Sequence, residues 1–212
     1  MKIALYGATG MIGQRILREA LNRGHYVTAI VRNPAKLTET HNHLTVVTGD
    51  ILNADSIAET VKGANAVVSA YGPSGAADST VVDAAHALIA GLTKAHVKRL
   101  IVVGGAGSLE VAPGVQLIDT PDFPESYKAA ASAARDALGV YKAEAKALDW
   151  TYISPAAMIA PGKRTNTFRL GGDQLVVDAE GNSRISAEDF AVAIVDELDA
   201  PKHIKQRFTA AY

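Results

Sequence analysis

Short apolar runs alternate along this chain with longer stretches whose apolar positions recur at helical spacing, and the rhythm begins at the first residues. Ile3-Ala4-Leu5-Tyr6 reads as a buried strand. Met11 to Arg23 reads as an amphipathic helix with Ile12, Ile16, Leu17, Ala20 and Leu21 on one stripe, and Gly24 stands where a glycine ends a helix. Tyr26 to Val31 is β-rich without alternation, which predicts a strand buried on both faces. Leu44 to Val47, Asn65 to Ala70 and Leu100 to Val103 are further strands, separated by helices over Ser56 to Val61 and Asp78 to Ala95. The pattern predicts an α/β fold, a doubly wound parallel sheet with helices on both faces.

The second half is less regular. Leu109 to Glu125 carries Pro113, Gly114, Pro121 and Pro124 and reads as a long surface loop. Tyr127 to Leu148 reads as a helix that Gly139 weakens, and Thr151 to Ser154 as a strand stopped by Pro155. Leu175 to Val177 and Arg184-Ile185 read as a hairpin around Ala179-Glu180-Gly181-Asn182. Ser186 and Asp189 resemble a capping box, with an acid in place of Glu or Gln, opening a helix to Leu198. Arg207 to Tyr212 forms a last strand. With no internal repeat, low-complexity tract or flexible linker, residues 1–212 read as one domain.

Composition narrows the classes. Hydrophobic residues are 48% and charged residues 20% of the 212, the balance of a soluble globular chain. Lys and Arg number 21 against 22 Asp and Glu, so a broad basic field for nucleic acid or anionic lipid is not expected. The absence of Cys excludes disulfides, thiolate metal sites and cysteine nucleophiles. No secretory h-region and no window near the ~20 apolar residues of a membrane helix is present, so a cytoplasmic protein is expected.

The most informative stretch is Gly7-Ala8-Thr9-Gly10-Met11-Ile12-Gly13, a G-x-x-G-x-x-G between a predicted strand and a predicted helix. Gly7 lets the chain turn off the strand, Gly10 lets backbone N–H groups approach a pyrophosphate, and Gly13 lets the helix pack on the strand. The positive end of the helix dipole then faces the phosphates. With this context the motif predicts a dinucleotide site. After the second strand, Val31-Arg32-Asn33-Pro34-Ala35-Lys36 has no acid where an NAD site places one, and Arg32 lies 19 residues past Gly13. Arg32 can pair with a 2′-phosphate and Lys36 adds a second charge, so NADP(H) is preferred and NAD(H) stays possible. Arg15 is a further cation near the motif.

Other loops at the carboxyl ends of strands converge on the same crevice. Asp50, before Ile51, either accepts from the adenine amino group or serves as an acid at a helix start. Ala70-Tyr71-Gly72 offers small residues beside a ribose. His41-Asn42-His43 lacks a third ligand nearby, so no metal is expected. Pro161-Gly162-Lys163-Arg164-Thr165 is a basic loop in which Arg164 either meets an anionic substrate or is solvated. Phe123 and Tyr127 either wall a flat substrate or pin the Pro-rich loop, and Trp150 reads as core.

Gly7 to Gly13, Val31 to Pro34, Gly49-Asp50-Ile51 and Val103-Gly104-Gly105-Ala106-Gly107-Ser108 together resemble the atypical short-chain dehydrogenase/reductase group. That group includes NmrA-like, NADH-flavin reductase-like and biliverdin reductase B-like proteins. Asp149 to Pro155, Arg169 to Asp173 and Ile185 to Ala191 look like its bacterial flavin-reductase-like branch. The resemblance spans nearly the whole chain. It implies a Rossmann sheet with a small C-terminal lid, residues 155–212 contributing the substrate side, and hydride transfer from a nicotinamide. It places Thr9, Met11, Ile12, Asn33, Ile51, Gly104 and Gly105 at the cofactor, and Pro155 and Ala156 beside the carboxamide through backbone groups. Ser108 corresponds to the superfamily's serine, a catalytic candidate or a turn residue.

The departure from the superfamily is equally informative. Its ordinary members carry Tyr-x-x-x-Lys on a helix, whereas here Tyr127 is followed at that spacing by Ala131 and Tyr141 by Ala145. The expected reaction is therefore reduction of a flavin (FMN or FAD), a quinone or a similar planar acceptor, the proton coming from water. A non-catalytic NmrA-like NADP(H) sensor acting through a protein partner is the alternative, and a reductase or isomerase of a specialised small metabolite is a third. The expected protein is a monomer or homodimer that binds neither nucleic acid nor membrane.

Overall fold

The computed structural model describes residues 1–72 and 80–212, so the expected helix start at Asp78 lies outside the described residues. Strand β1 (Lys2–Tyr6) leads into α1 (Met11–Asn22), β2 (Tyr26–Val31), β3 (Leu44–Thr48), α2 (Ala54–Thr60), β4 (Ala66–Ser69), α3 (Thr80–Ala95) and β5 (Arg99–Val103). There follow β6 (Glu110–Ala112), β7 (Val115–Gln116), α4 (Glu125–Glu144), β8 (Asp149–Ser154), β9 (Met158–Ala160), β10 (Arg169–Gly171), β11 (Arg184–Ser186), α5 (Ala187–Asp199) and β12 (Gln206–Ala211).

Eight strands form one sheet in the order β3-β2-β1-β4-β5-β8-β12-β10. Neighbours are parallel except β10, which runs antiparallel to β12 at the edge. The chain walks outward from β1 to β3, then returns to the other side of β1 to place β4. That reversal opens a crevice at the carboxyl ends of β1 and β4, where α/β sheets collect ligands.

Alternation along each strand decides which helix layer it meets. Ile3 and Leu5 of β1 join Ile16, Leu17, Phe190, Ile194 and Phe208 in a core under α1 and α5. Ala4 and Tyr6 point the other way, into a core under α2, α3 and α4 with Ile57, Leu88, Tyr141, Trp150 and Tyr152. Removing either layer would expose fully buried side chains on the face of the sheet that it covers.

The structure corrects the reading of the second half in three places. Leu109 to Glu125 is no plain loop: β6 and β7 form a hairpin around Pro113-Gly114, a 3-10 turn follows at Leu117–Asp119, and Leu109 and Ile118 are buried. There Pro and Gly mark one tight turn, with Gly114 at φ 74°. No hairpin joins residues 175–177 to 184–185. The Leu175 N–H is drawn to the Glu110 carbonyl (2.8 Å), and β11 pairs in parallel with β9 instead. Finally, Ser186 caps α5 by accepting from Asp189 N–H, but the Asp189 carboxylate turns away from the cap, to Thr165 and Asn166.

Candidate cofactor site

The turn between β1 and α1 is built from backbone. Gly7 sits at φ 76°, and a Cβ there would strike the Ala70 carbonyl and come 2.9 Å from Tyr71 N. A Cβ on Gly13 would strike the Gly7 carbonyl and come 3.2 Å from Ala8 Cα. Gly10 is the more open of the three, its Cβ position 3.3 Å from Gly7 O. Two bonds brace the turn, Gly10 N–H to Gly7 O (3.0 Å) and Gln14 Nε2 to Thr9 O (3.0 Å). The glycines thus let β1, α1 and the end of β4 close on one another, while Gly10 and Met11 stay exposed at the mouth.

The first turn of α1 differs electrically from those of the other helices. No side chain caps it and no acid lies in it. By contrast α2 has Asn53 as cap and Asp55 in its first turn, α3 has Asp83, α4 has Glu125, and α5 has Ser186 with Glu188 and Asp189. The leading N–H groups of a helix have no intrahelical partner and carry partial positive charge. In those helices side chains compensate such charges; at α1 none does, which suits the turn to an anion.

Around this turn the predicted residues gather. Arg32 and Lys36 are exposed after β2, and among the described residues neither has an ion-pair partner. Asn33 caps the short 3-10 turn Pro34–Lys36 through Ala35 N–H (3.1 Å), which fixes where Lys36 leaves the backbone. Asp50 uses Oδ1 to accept from Leu52 N–H (3.0 Å), with Ile51 buried beneath. Ala70 and Tyr71 border Gly7, and Tyr71 shares a hydrogen bond with Thr80 (2.7 Å). Gly72 is exposed. Arg15 is engaged: Nε donates to Glu188 (2.9 Å) and Nη1 to Met11 O (2.9 Å), tying the phosphate turn to α5.

The acceptor side departs from expectation at two residues. Ser108 is buried, and its Oγ and its carbonyl both accept from Arg207 Nη1, at 2.8 and 2.9 Å. Its oxygen anchors the loop that leaves β5 and is not presented to the crevice. Arg164 does not reach toward substrate either. Its Nε and Nη2 grip the buried carboxylate of Glu19 (both 2.8 Å), which also receives Arg23. A buried carboxylate costs several kcal/mol unless paired, which is why it draws two guanidiniums.

The remaining positions are set by close packing. A Cβ on Gly104 would enter the Tyr152 ring, and one on Gly105 would lie 3.1 Å from Ala134 Cβ, so these glycines let the loop rest on β8 and α4. Tyr152 donates to the Ala134 carbonyl (2.7 Å), and burial raises its pKa. Ala156 packs in the core, while Ala157 N–H donates to Ser183 Oγ (3.1 Å). Phe123 is half-buried, and Tyr127 is exposed on the first turns of α4. Tyr141 is fully buried and its hydroxyl pKa is raised by that burial, so it cannot serve as an acid at the crevice. Trp150 is core, as expected. His43 stacks on Tyr26, and no group of three metal-ligating side chains occurs among the described residues.

Sequence reasoning missed the roles of Glu19, Asp173 and Arg207, and read Asp189 only as a capping acid. Glu19 lies within the apolar stripe of α1, and a charge there was the one available signal. A recess of about 290 Å³ lies away from the glycine turn, between the C-terminal half of α5 and the β10–β12 edge, lined by Phe168, Leu170, His203 and Phe208 among others. No helix among the described residues is long and apolar enough to cross a membrane.

Comparison with known proteins agrees with this geometry. The family model described as NAD(P)H-binding matches residues 7–201. The uncharacterized protein YwnB of Bacillus subtilis is 43% identical over 99% of this chain and 97% of its own length. A Burkholderia pseudomallei crystal structure, of a protein proposed to be exported, is 53% identical with TM-score 0.92 and full coverage of both chains. One from Streptococcus pneumoniae, proposed to be an NADH-flavin reductase, is 33% identical with TM-score 0.86 over 100% of this chain and 99% of that one.

Proposed function

This chain belongs to the NAD(P)H-binding family of oxidoreductase-like proteins, and from that premise we propose that it is an NADPH-preferring reductase of a flavin, a quinone or a similar planar acceptor. The observation that carries the reading is the uncompensated first turn of α1, set at the point where the strand order reverses. Its N–H groups would hold the pyrophosphate, and Arg32 with Lys36 would hold a 2′-phosphate. The bound dinucleotide would supply a hydride at its reduced ring.

What α4 lacks supports this class of acceptor. Its two tyrosines have Ala131 and Ala145 where a lysine would lower a tyrosine's pKa, one tyrosine is exposed and the other is sealed in the core. Among the described residues, neither tyrosine forms a Tyr–Lys pair of that kind to protonate a carbonyl oxygen. A conjugated planar acceptor needs none, because it takes the hydride into a delocalised system and a proton from water. The chain's contribution is then proximity and orientation, provided by the β5 loop and the start of α4.

The test is NADPH oxidation followed at the nicotinamide absorbance band with FMN, riboflavin and a naphthoquinone. Turnover with at least one acceptor supports the reductase. Tight NADPH binding with no turnover on any acceptor favours the sensor, and no binding of either dinucleotide removes both readings.

A further inference from the structure

We propose that Arg207 is a positioning residue for the acceptor: it sets the height of the loop that leaves β5, and so how closely a flat molecule lies over the reduced nicotinamide. The inference rests on the reductase reading. It starts from a buried charge that the reading does not use. The Arg207 side chain is 5% exposed, on β12.

The first part of the β5 loop, Gly104 to Gly107, rests on the Tyr152 ring and on Ala131 and Ala134 of α4. Beyond Gly107, Ile118 N–H donates to Gly107 O and Leu117 N–H to Leu109 O (both 2.8 Å), and Arg207 is the side chain that ties this part to β12. Its Nη1 donates to Ser108 O and Oγ, and its Nε donates to Asp173 Oδ1 (2.7 Å). The Asp173 carbonyl accepts from Glu110 N–H (2.9 Å), and Glu110 O accepts from Leu175 N–H (2.8 Å). One guanidinium therefore joins three segments distant in sequence: β12, the β5 loop and the stretch after β10.

An apolar side chain could fill the same space without the cost of burying a charge. A guanidinium differs in that its donors are fixed in a plane and each bond has a set length and direction. Apolar packing lets a loop slide by fractions of an ångström, whereas this arrangement does not. Fixed height is what a hydride transfer without an acid–base group depends on. Ser108 then has the role of a handle, which accounts for a serine whose hydroxyl is turned inward.

The test compares steady-state kinetics and NADPH affinity in Arg207→Met, Arg207→Lys, Asp173→Asn and Arg99→Met. Arg99 is a half-buried arginine at the opposite end of β5, paired with the buried Glu197 (3.0 Å), so it reports what loss of a packed guanidinium does away from the crevice. In Arg207→Met the acceptor KM is expected to rise about tenfold, with NADPH affinity within about twofold of wild type. Arg207→Lys restores part of the change. Asp173 is 59% exposed, so Asp173→Asn leaves no buried hole and moves the acceptor KM in the same direction by about threefold. Arg99→Met lowers Tm and leaves the acceptor KM alone.

Equal acceptor KM in wild type, Arg207→Met and Asp173→Asn overturns the proposal, and so does an equal rise in Arg99→Met. Should Arg207→Met not fold, Asp173→Asn alone decides. Absence of turnover by the wild type with every acceptor is a different failure: it removes the reductase reading, and the positioning role with it.

Discussion

A methyl group at Gly13 tests the phosphate turn directly. In Gly13→Ala the new carbon would strike the Gly7 carbonyl, lying 2.7 Å from its carbon and 3.2 Å from Ala8 Cα. Both neighbours are backbone of the turn itself, so the turn must open. The helix gains about 1 kcal/mol from exchanging glycine for alanine. Overpacking against backbone costs about 1–3 kcal/mol. The net loss of stability is then about 0–2 kcal/mol, a fall in Tm of at most about 8 °C for a chain of this size. Binding suffers more. Displacing the turn breaks one or more hydrogen bonds to charged phosphate, each about 1.5–3 kcal/mol, so NADPH affinity falls by about tenfold or more. Fluorescence titration measures the affinity and a thermal melt the stability. Gly139→Ala is the matched control: also a helical glycine, with no atom within 4 Å of its Cβ position, it gains up to about 1 kcal/mol and keeps the wild-type affinity. A folded Gly13→Ala that binds both dinucleotides as tightly as Gly139→Ala would falsify the assignment of this turn to the pyrophosphate.

Three further outcomes follow from the same geometry. Arg32→Glu should weaken NADPH by about tenfold or more and NADH by far less, since it replaces a charge-assisted bond with repulsion; equal effects on both in parallel titrations refute the 2′-phosphate role. The hydrogen bonds from Arg164, opposed by burial and aided by Arg23, hold the Glu19 carboxyl below the usual carboxylate range. Its folded pKa is the lower one, so its stabilisation is complete above about 4.5, the ordinary value, and is lost as pH falls through the folded value. Glu19→Gln should therefore lower Tm near neutrality by the equivalent of about 2 kcal/mol and approach the wild type below that pH; a constant difference down to pH 2.5 is the contrary result. Asp189, fully buried, accepts from Thr165 and Asn166 N–H (both 2.8 Å) and from the Tyr212 hydroxyl (2.8 Å). Asp189→Asn turns an acceptor into a donor facing donors, so residues 161–167 should become cleavable by protease in the folded protein, with a stability loss of about 2–3 kcal/mol; unchanged proteolysis rejects the clamp.

The first half of the fold and the cofactor turn are legible in the amino-acid order because their causes are local. Strand, glycine turn and amphipathic helix follow one another within residues 2–22, and the sign of charge after β2 needs only Arg32, Lys36 and the absence of an acid. Each feature depends on neighbours a few residues away, so periodicity and residue type suffice. The acceptor side depends on partners that no local pattern connects. Arg164 meets Glu19 across 145 positions and Arg207 meets Ser108 across 99. Strands of three residues such as β9 and β10 have too few positions to show a period, and form because a partner strand is already there. That the Ser108 oxygens accept from Arg207, and that Arg164 pairs with Glu19, became visible only when packing brought distant residues together. A charge removed from water must find its opposite within reach, and only the folded chain decides which one that is.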